Sequence, residues 1–204
     1  SRFWIILFKA ILSKLYHRKI YVAGSVEFQY PNHLFQVGYF LDKKYYNKND
    51  IKFKHLSLSE KNLSLLKDIQ NSNSVGVHIR RGDYMTKQNF NIFGNICTRK
   101  YYHDAIRIIT EKVSNAVFYV FSDDIDWVQT HLDIPNAVYV NWNTGEYSIY
   151  DMYLMSFCKY NIIANSTFSY WAARLNKKAE LVIYPSKWYN TFTPDIFPDS
   201  WCGI

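Results

Sequence analysis

The chain has 204 residues, 49% hydrophobic and 20% charged, which is ordinary for a folded protein with one good core. Its net charge of +7 at pH 7 favours an anionic partner (a nucleotide phosphate, nucleic acid or an anionic membrane) without choosing among them. The three cysteines, Cys97, Cys158 and Cys202, contain no Cys-x-x-Cys pair, so they form neither a disulfide framework nor a zinc site and point to a reducing compartment, the cytoplasm.

At the start of the chain, Phe3 to Leu12 are apolar but for Lys9, and Lys14, His17, Arg18 and Lys19 follow. The run is shorter than the ~20 residues of a spanning helix. Its charges come after the apolar stretch, the reverse of a signal peptide. Two readings fit: a basic amphipathic helix in peripheral contact with the inner membrane face, or a helix packed on an N-terminal lobe. Tyr45 to Asp50 are polar and aromatic and read as a connection. We therefore expect residues 1–58 to be a partial N-terminal or linker region and residues 59–204 the principal domain.

From Ser59 onward the pattern is regular. Ser59 can cap a helix whose Leu63, Leu66 and Ile69 recur at helical spacing. Val75, Val77 and Ile79 alternate as in a strand. Tyr102, Ile106, Ile109 and Val113 mark a second helix. Val117 to Phe121 is a compact apolar strand that runs into Ser122-Asp123-Asp124. A short helix around Trp127 to Leu132 and a strand from Ala137 to Asn141 follow. Glu146 to Tyr160 reads as a helix with Ile149, Met152, Tyr153 and Phe157 on one side. Asn161 to Ala164 reads as a strand, Phe168 to Asn176 as a helix, and Ala179 to Tyr184 as a strand stopped by Pro185. The tail, with Trp188, Pro194, Pro198 and Trp201, is expected to wrap the surface without regular structure. Strands alternating with helices predict βαβ units, and continuous apolar strands predict a sheet covered on both faces. The fold class is α/β, a Rossmann-like doubly wound parallel sheet.

Ligands of such sheets bind beyond the carboxyl ends of the strands, and three polar clusters fall there. The first is His78-Ile79-Arg80-Arg81-Gly82-Asp83-Tyr84. With Val77 and Ile79 facing the core, His78 and Arg80 face the other side or the strand's end. Two arginines before a glycine turn suit a diphosphate, because each guanidinium binds phosphate oxygens through two hydrogen bonds. A surface Arg pair bonded to Asp83 fits the same residues. The second cluster is Ser122-Asp123-Asp124 with Asp126, where a carboxylate could meet guanine or a ribose hydroxyl. Asp124-Ile125-Asp126 also matches a short metal-holding element, and acids opening a helix also serve as caps. The third is Asn165-Ser166-Thr167 ahead of Phe168, a natural phosphate seat at a helix N-terminus and equally a plain N-cap.

Taken together, these clusters resemble the bacterial α-1,2-fucosyltransferases of glycosyltransferase family eleven. The resemblance is carried by His78 to Tyr84, by Phe121-Ser122-Asp123-Asp124-Ile125-Asp126-Trp127, and by the long run from Asp151 to Ala173. Gly38-Tyr39-Phe40 with Lys44-Tyr45-Tyr46 resembles a weaker upstream element. The Gly-Gly-Leu-Gly-Asn-Gln segment of the family's N-terminal lobe is not found, so the likeness is to the C-terminal part of such an enzyme. The resemblance implies a GT-B-like fold whose donor-binding half is this domain. It implies inverting transfer of fucose from GDP-fucose to a hydroxyl of a glycan acceptor, such as a galactoside, with no metal and no other cofactor. It places Arg80 and Arg81 on the β-phosphate, His78 beside the nucleotide, and Asp123 or Asp124 on guanine or ribose. Ser166 and Thr167, with Asn165 and Phe168 beside them, would meet the phosphates. Asp83 is the one candidate general base inside the motif; a base in the N-terminal lobe, with Asp83 simply orienting Arg81, is the alternative. A bacterial cell-surface polysaccharide pathway follows from the resemblance, and nucleic acid is not an expected partner. The alternative is a non-catalytic nucleotide- or glycan-binding module.

Overall fold

The structure, a computed structural model, describes residues 19–22, 33–37, 51–53 and 56–204. The chain divides into two compact units, Ser1–Tyr45 and Tyr46–Ile204. In the first, strands β1 (Lys19–Val22) and β2 (His33–Val37) pair in parallel. The expectations for Phe3 to Leu12, Gly38 to Phe40 and Lys44 to Asp50 lie outside the described residues.

In the second unit, α1 (Glu60–Asn71) opens on Ser59, whose hydroxyl accepts the Asn62 N–H at 3.3 Å. β3 (Asn73–Ile79) follows, then a 3-10 turn (Gly82–Met85), α2 (Lys87–Phe93), α3 (Arg99–Lys112), β4 (Ala116–Ser122), α4 (Ile125–His131) and β5 (Ala137–Val140). After a second 3-10 turn come α5 (Ser148–Met155), β6 (Tyr160–Ile162), α6 (Thr167–Leu175), β7 (Leu181–Tyr184) and β8 (Cys202–Gly203). The sheet order is β5-β4-β3-β6-β7-β8, and each adjacent pair is parallel.

The chain thus builds outward from β3 to β5, then crosses back to lay β6 on the other side of β3. This is the order of a dinucleotide-binding sheet, and its reversal opens a crevice between the carboxyl ends of β3 and β6. Residues 74–79 of β3 are buried throughout, so both its faces are covered. Val75, Val77 and Ile79 enter a cluster with Tyr102, Ile109 and Val128, from α3 and α4. Ser74, Gly76 and His78 face the opposite side, where α1 packs on α5 and α5 on α6. Fully burying a Val or Ile is worth roughly 1.5–3 kcal/mol, so this central strand anchors both layers. Gly76 is required for close approach, since a Cβ there would lie 2.9 Å from both Met155 Cγ and Asn161 Oδ1.

Several expectations change. α1 buries Asn62, Leu65 and Ile69, leaving Leu63 exposed, because the polar Asn62 finds partners inside. The helix expected from Glu146 to Tyr160 ends at Met155, since Tyr160 is drawn into the sheet between β3 and β7. Its buried face is Asp151, Leu154 and Met155, with Ile149 exposed. The tail is not wholly irregular: Cys202 and Gly203 pair with Ile183 and Tyr184 as the sixth strand. The three cysteines are free thiols.

Candidate functional site

A cavity of about 420 Å³ opens at the carboxyl edge of β3, β4 and β5, on the side covered by α5 and α6. Of the residues singled out in the sequence, His78, Arg80, Ser122, Asp123 and Phe168 line it. Strand alternation explains which arginine arrives. Arg80 continues the parity of Gly76 and His78 toward the cavity, whereas Arg81 points the other way. There its guanidinium carbon sits 3.6 Å from the centre of the Trp127 ring, and its Nε donates to Asp124 Oδ2 at 3.0 Å. Arg81 belongs to a second cavity, of about 270 Å³, lined also by Tyr84, Phe90, Phe93 and Trp127.

Arg80 is held by two carboxylates. Its Nη2 meets Asp83 Oδ1 at 2.6 Å and its Nη1 meets Asp123 Oδ2 at 2.8 Å. Asp123 also accepts the Arg81 backbone N–H at 2.9 Å. A Cβ on Gly82 would stand 2.5 Å from Asp123 Oδ2, so glycine lets this carboxylate close over the turn. Two guanidiniums are therefore surrounded by Asp83, Asp123 and Asp124, and the cluster is not a bare positive patch. What Arg80 offers is direction: a guanidinium has five N–H donors, and the two carboxylates engage only some of them. Its side chain remains 34% exposed.

His78 is buried, and its ring stacks on Phe168 with centroids 4.8 Å apart. Burial, aided by the Arg80 charge, pushes its pKa down to about 3, so it is a neutral imidazole at physiological pH. Its Nδ1 has no partner. Asp124 caps α4 by accepting the Trp127 N–H, and its own backbone N–H donates to Ser122 Oγ. Its carboxylate is thus committed to Arg81 and the helix. Asp126 lies in the first turn of α4.

Asn165 is buried outside the cavity, in a knot that fixes the turn before α6. Its amide donates to the carbonyls of Phe93 and Trp188, its Oδ1 accepts from Cys97 Sγ, and its carbonyl accepts from the Tyr84 hydroxyl. Ser166 is buried and Thr167 exposed, and the Ser166 side chain makes no cap bond. The first N–H groups of α6 are thereby left for another acceptor.

The sequence reading missed the other wall: Asn143, Thr144, Gly145, Ser148 and Asp151. Asp151 stands in the first turn of α5, and burial raises its carboxyl to about pKa 7 against a hydrogen bond from Asn143 that lowers it. That bond runs from Asn143 Nδ2 to Asp151 Oδ1 at 2.7 Å. One signal was available: Asp151 precedes Leu154 and Met155 by three and four residues, which sets a carboxylate on a buried apolar stripe. Asn143, in an irregular loop, carried none.

Among the described residues no group of three His, Cys, Asp or Glu is arranged to hold a metal, and no helix is long and apolar enough to cross a membrane.

The model of glycosyl transferase family 11 matches residues 4–204. An α-1,2-colitosyltransferase of Escherichia coli is 36% identical over 215 residues, covering 96% of this chain and 69% of that protein. The O-antigen biosynthesis glycosyltransferase WbnK of Escherichia coli is 42% identical over 66% of this chain and 46% of its own length. Galactoside α-(1,2)-fucosyltransferase 2 of Pongo pygmaeus is 29% identical over 66% of this chain and 42% of its own length. The matched part is thus less than half of the last two relatives.

Proposed function

This chain belongs to glycosyl transferase family 11, and from that premise we propose that its cleft holds GDP-fucose. The reaction we propose is transfer of the fucosyl group, with inversion and without a metal, to a hydroxyl of a galactoside during glycan or cell-surface polysaccharide synthesis. The observation that carries the reading is one cavity containing both a directed guanidinium, Arg80, and a buried carboxylate, Asp151, at the switch point of the sheet. The guanidinium suits a diphosphate. The carboxylate accepts hydrogen bonds and suits the paired N–H donors of guanine. Residues 59–204 are then the GDP-sugar-binding domain, the donor half of a GT-B-like enzyme, and residues 1–58 part of an N-terminal region. We place the reaction in the cytoplasm, at or near the inner membrane face.

In the displacement, the acceptor oxygen bonds to the anomeric carbon as that carbon's bond to the β-phosphate oxygen breaks. Negative charge grows on the departing GDP. Donors already aimed at that oxygen stabilise it more than they stabilise the intact donor sugar. Arg80 fills this role, with the open N–H groups at the start of α6, next to Ser166 and Thr167, as its complement. The acceptor's proton passes to a carboxylate. Asp83 is the candidate within the motif, and its bond to Arg80 couples base and clamp. The alternative role for Asp83 is to orient Arg80 through the same bond.

Arg80→Ala is expected to weaken GDP binding by about ten- to a hundredfold, since a charge-assisted hydrogen bond contributes ~1.5–3 kcal/mol. Calorimetry with GDP measures this, and a transfer assay run in excess chelator measures catalysis and metal dependence together. Unchanged affinity in Arg80→Ala removes the phosphate assignment, and activity restored only by Mn²⁺ removes the metal-free one. The second reading is a nucleotide-binding module without catalysis. GDP binding with no transfer to any galactoside would establish it.

A further inference from the structure

We infer that Asn62, a residue of α1 outside the cavity wall, positions the Asp151 carboxylate through Asn143 and so sets the cleft's preference for guanine over adenine. The inference rests on the GDP-sugar reading above.

A continuous hydrogen-bond chain carries it. Trp142 Nε1 donates to Asn62 Oδ1 at 2.8 Å. Asn62 and Asn143 exchange bonds, Asn62 Nδ2 to Asn143 Oδ1 at 2.9 Å and Asn143 Nδ2 to Asn62 Oδ1 at 3.0 Å. Asn143 Nδ2 then donates to Asp151 Oδ1 at 2.7 Å. Asn62, Asn143 and Asp151 are each less than 10% exposed, so water does not substitute for these bonds.

The chain has one polarity. An indole N–H only donates, and an ionised carboxylate only accepts. If the Asn62 amide were flipped, its NH2 would face the indole N–H. If the Asn143 amide were flipped, its oxygen would face the carboxylate. The two ends therefore hold both amides, and the amides hold the carboxylate with Oδ1 occupied, the Asn143 bond offsetting part of the rise that burial imposes on its pKa. A ligand must then bring donors to Asp151. Guanine presents adjacent N1–H and 2-amino donors, whereas adenine presents the N1 lone pair, which a carboxylate repels. A site built to hydrogen-bond one group rejects the analogue that lacks it far more strongly than shape alone does.

The other charged or titratable groups at the cavity are His78, Arg80 and Asp123, and Lys61 lies 3.7 Å from the Trp142 ring centre behind it. None of them donates to Asp151.

The test titrates GDP and ADP into the full chain and two variants, Asn62→Ala and Trp142→Phe, over a pH series spanning neutrality. Asn62→Ala is expected to weaken GDP by about tenfold, leave ADP unchanged, and move the midpoint of the pH dependence of GDP binding upward. Trp142→Phe keeps an aromatic ring beneath Lys61, removes only the donor, and is expected to act in the same direction with a smaller effect. A parallel loss for GDP and ADP, or a lowered Tm with the GDP-to-ADP ratio and pH midpoint unchanged, overturns the inference. GDP binding that Arg80→Ala abolishes and neither relay variant alters overturns it while sparing the GDP-sugar reading. Wild-type protein that binds no GDP overturns both.

Discussion

His78 and Asp151 share one cavity, and burial shifts them in opposite directions. Neutral imidazole is kept in the folded state down to about pH 3, whereas the unfolded chain protonates it near 6.5. Its contribution is complete above the unfolded value and is lost as pH falls between the two. Asp151 stays protonated in the fold up to about 7, whereas the unfolded chain ionises it near 3.9. Its contribution is complete below the unfolded value and is lost as pH rises toward 7. Across the overlap, roughly pH 4 to 6.5, the two slopes oppose. Asp151→Asn keeps an acceptor for Asn143 and removes one slope. The stability advantage of this variant over wild type should grow from pH 4 to 7 and level off above, reaching a few kcal/mol at most and appearing as a rising Tm difference. Thermal denaturation at several pH values measures it, and a gap that does not change with pH refutes the assignment. An ionised Asp151 is thus the less stable form of the free protein, and a ligand that donates to it recovers part of that deficit.

At the scale of elements, β3 decides where chemistry can occur. Its odd-numbered apolar residues join α3 and α4, and its even-numbered ones meet the α5 and α6 layer. Because α5 carries Asp151, its distance from the sheet sets the depth of the cavity. Gly76 fixes that distance, with Met155 of α5 where a Cβ would fall. Gly76→Ala is expected to cost about 1–3 kcal/mol by overpacking and to displace α5 from β3. GDP binding should weaken more than a loss of stability alone explains. Denaturant unfolding beside calorimetry tests this: normal affinity in the folded variant would show that the helix does not control the cleft. The same parity separates Arg80 from Arg81: both border the cavity beside Trp127, but only Arg80 also lines the one that holds Asp151.

On the scale of the molecule, the tail ties the turn before α6 to the rest of the domain. Trp188 is almost fully buried, meets Tyr170 and Phe197 edge-on, and accepts the Asn165 amide on its carbonyl. Trp188→Ala should cost about 3–5 kcal/mol and lower Tm by roughly ten degrees in a domain of this size; a shift of only a degree or two would show that the tail is a passive wrap. Ser59 as a cap, the apolar run of β4, Pro185 as a stop and the alternation of β3 are local properties, and each was legible because backbone sterics and burial act within a few residues. The motif from His78 to Tyr84 stood out as a candidate for the same reason. The face of α1, the early end of α5, the pairing of Cys202 and Gly203, and the wall formed by Asn143 and Asp151 were not. Each depends on a partner far along the chain, Asn62 on Asn143, Tyr160 on Val75 and Leu181, Cys202 on Ile183. By itself the sequence determined most of the alternation of strands and helices from Ser59 to Tyr184 and marked candidates for gripping a phosphate. Only the tertiary structure decided that Arg80 enters the cleft and Arg81 leaves it, and that a buried carboxylate waits opposite, because strand order and long-range packing choose which side chains share a cavity.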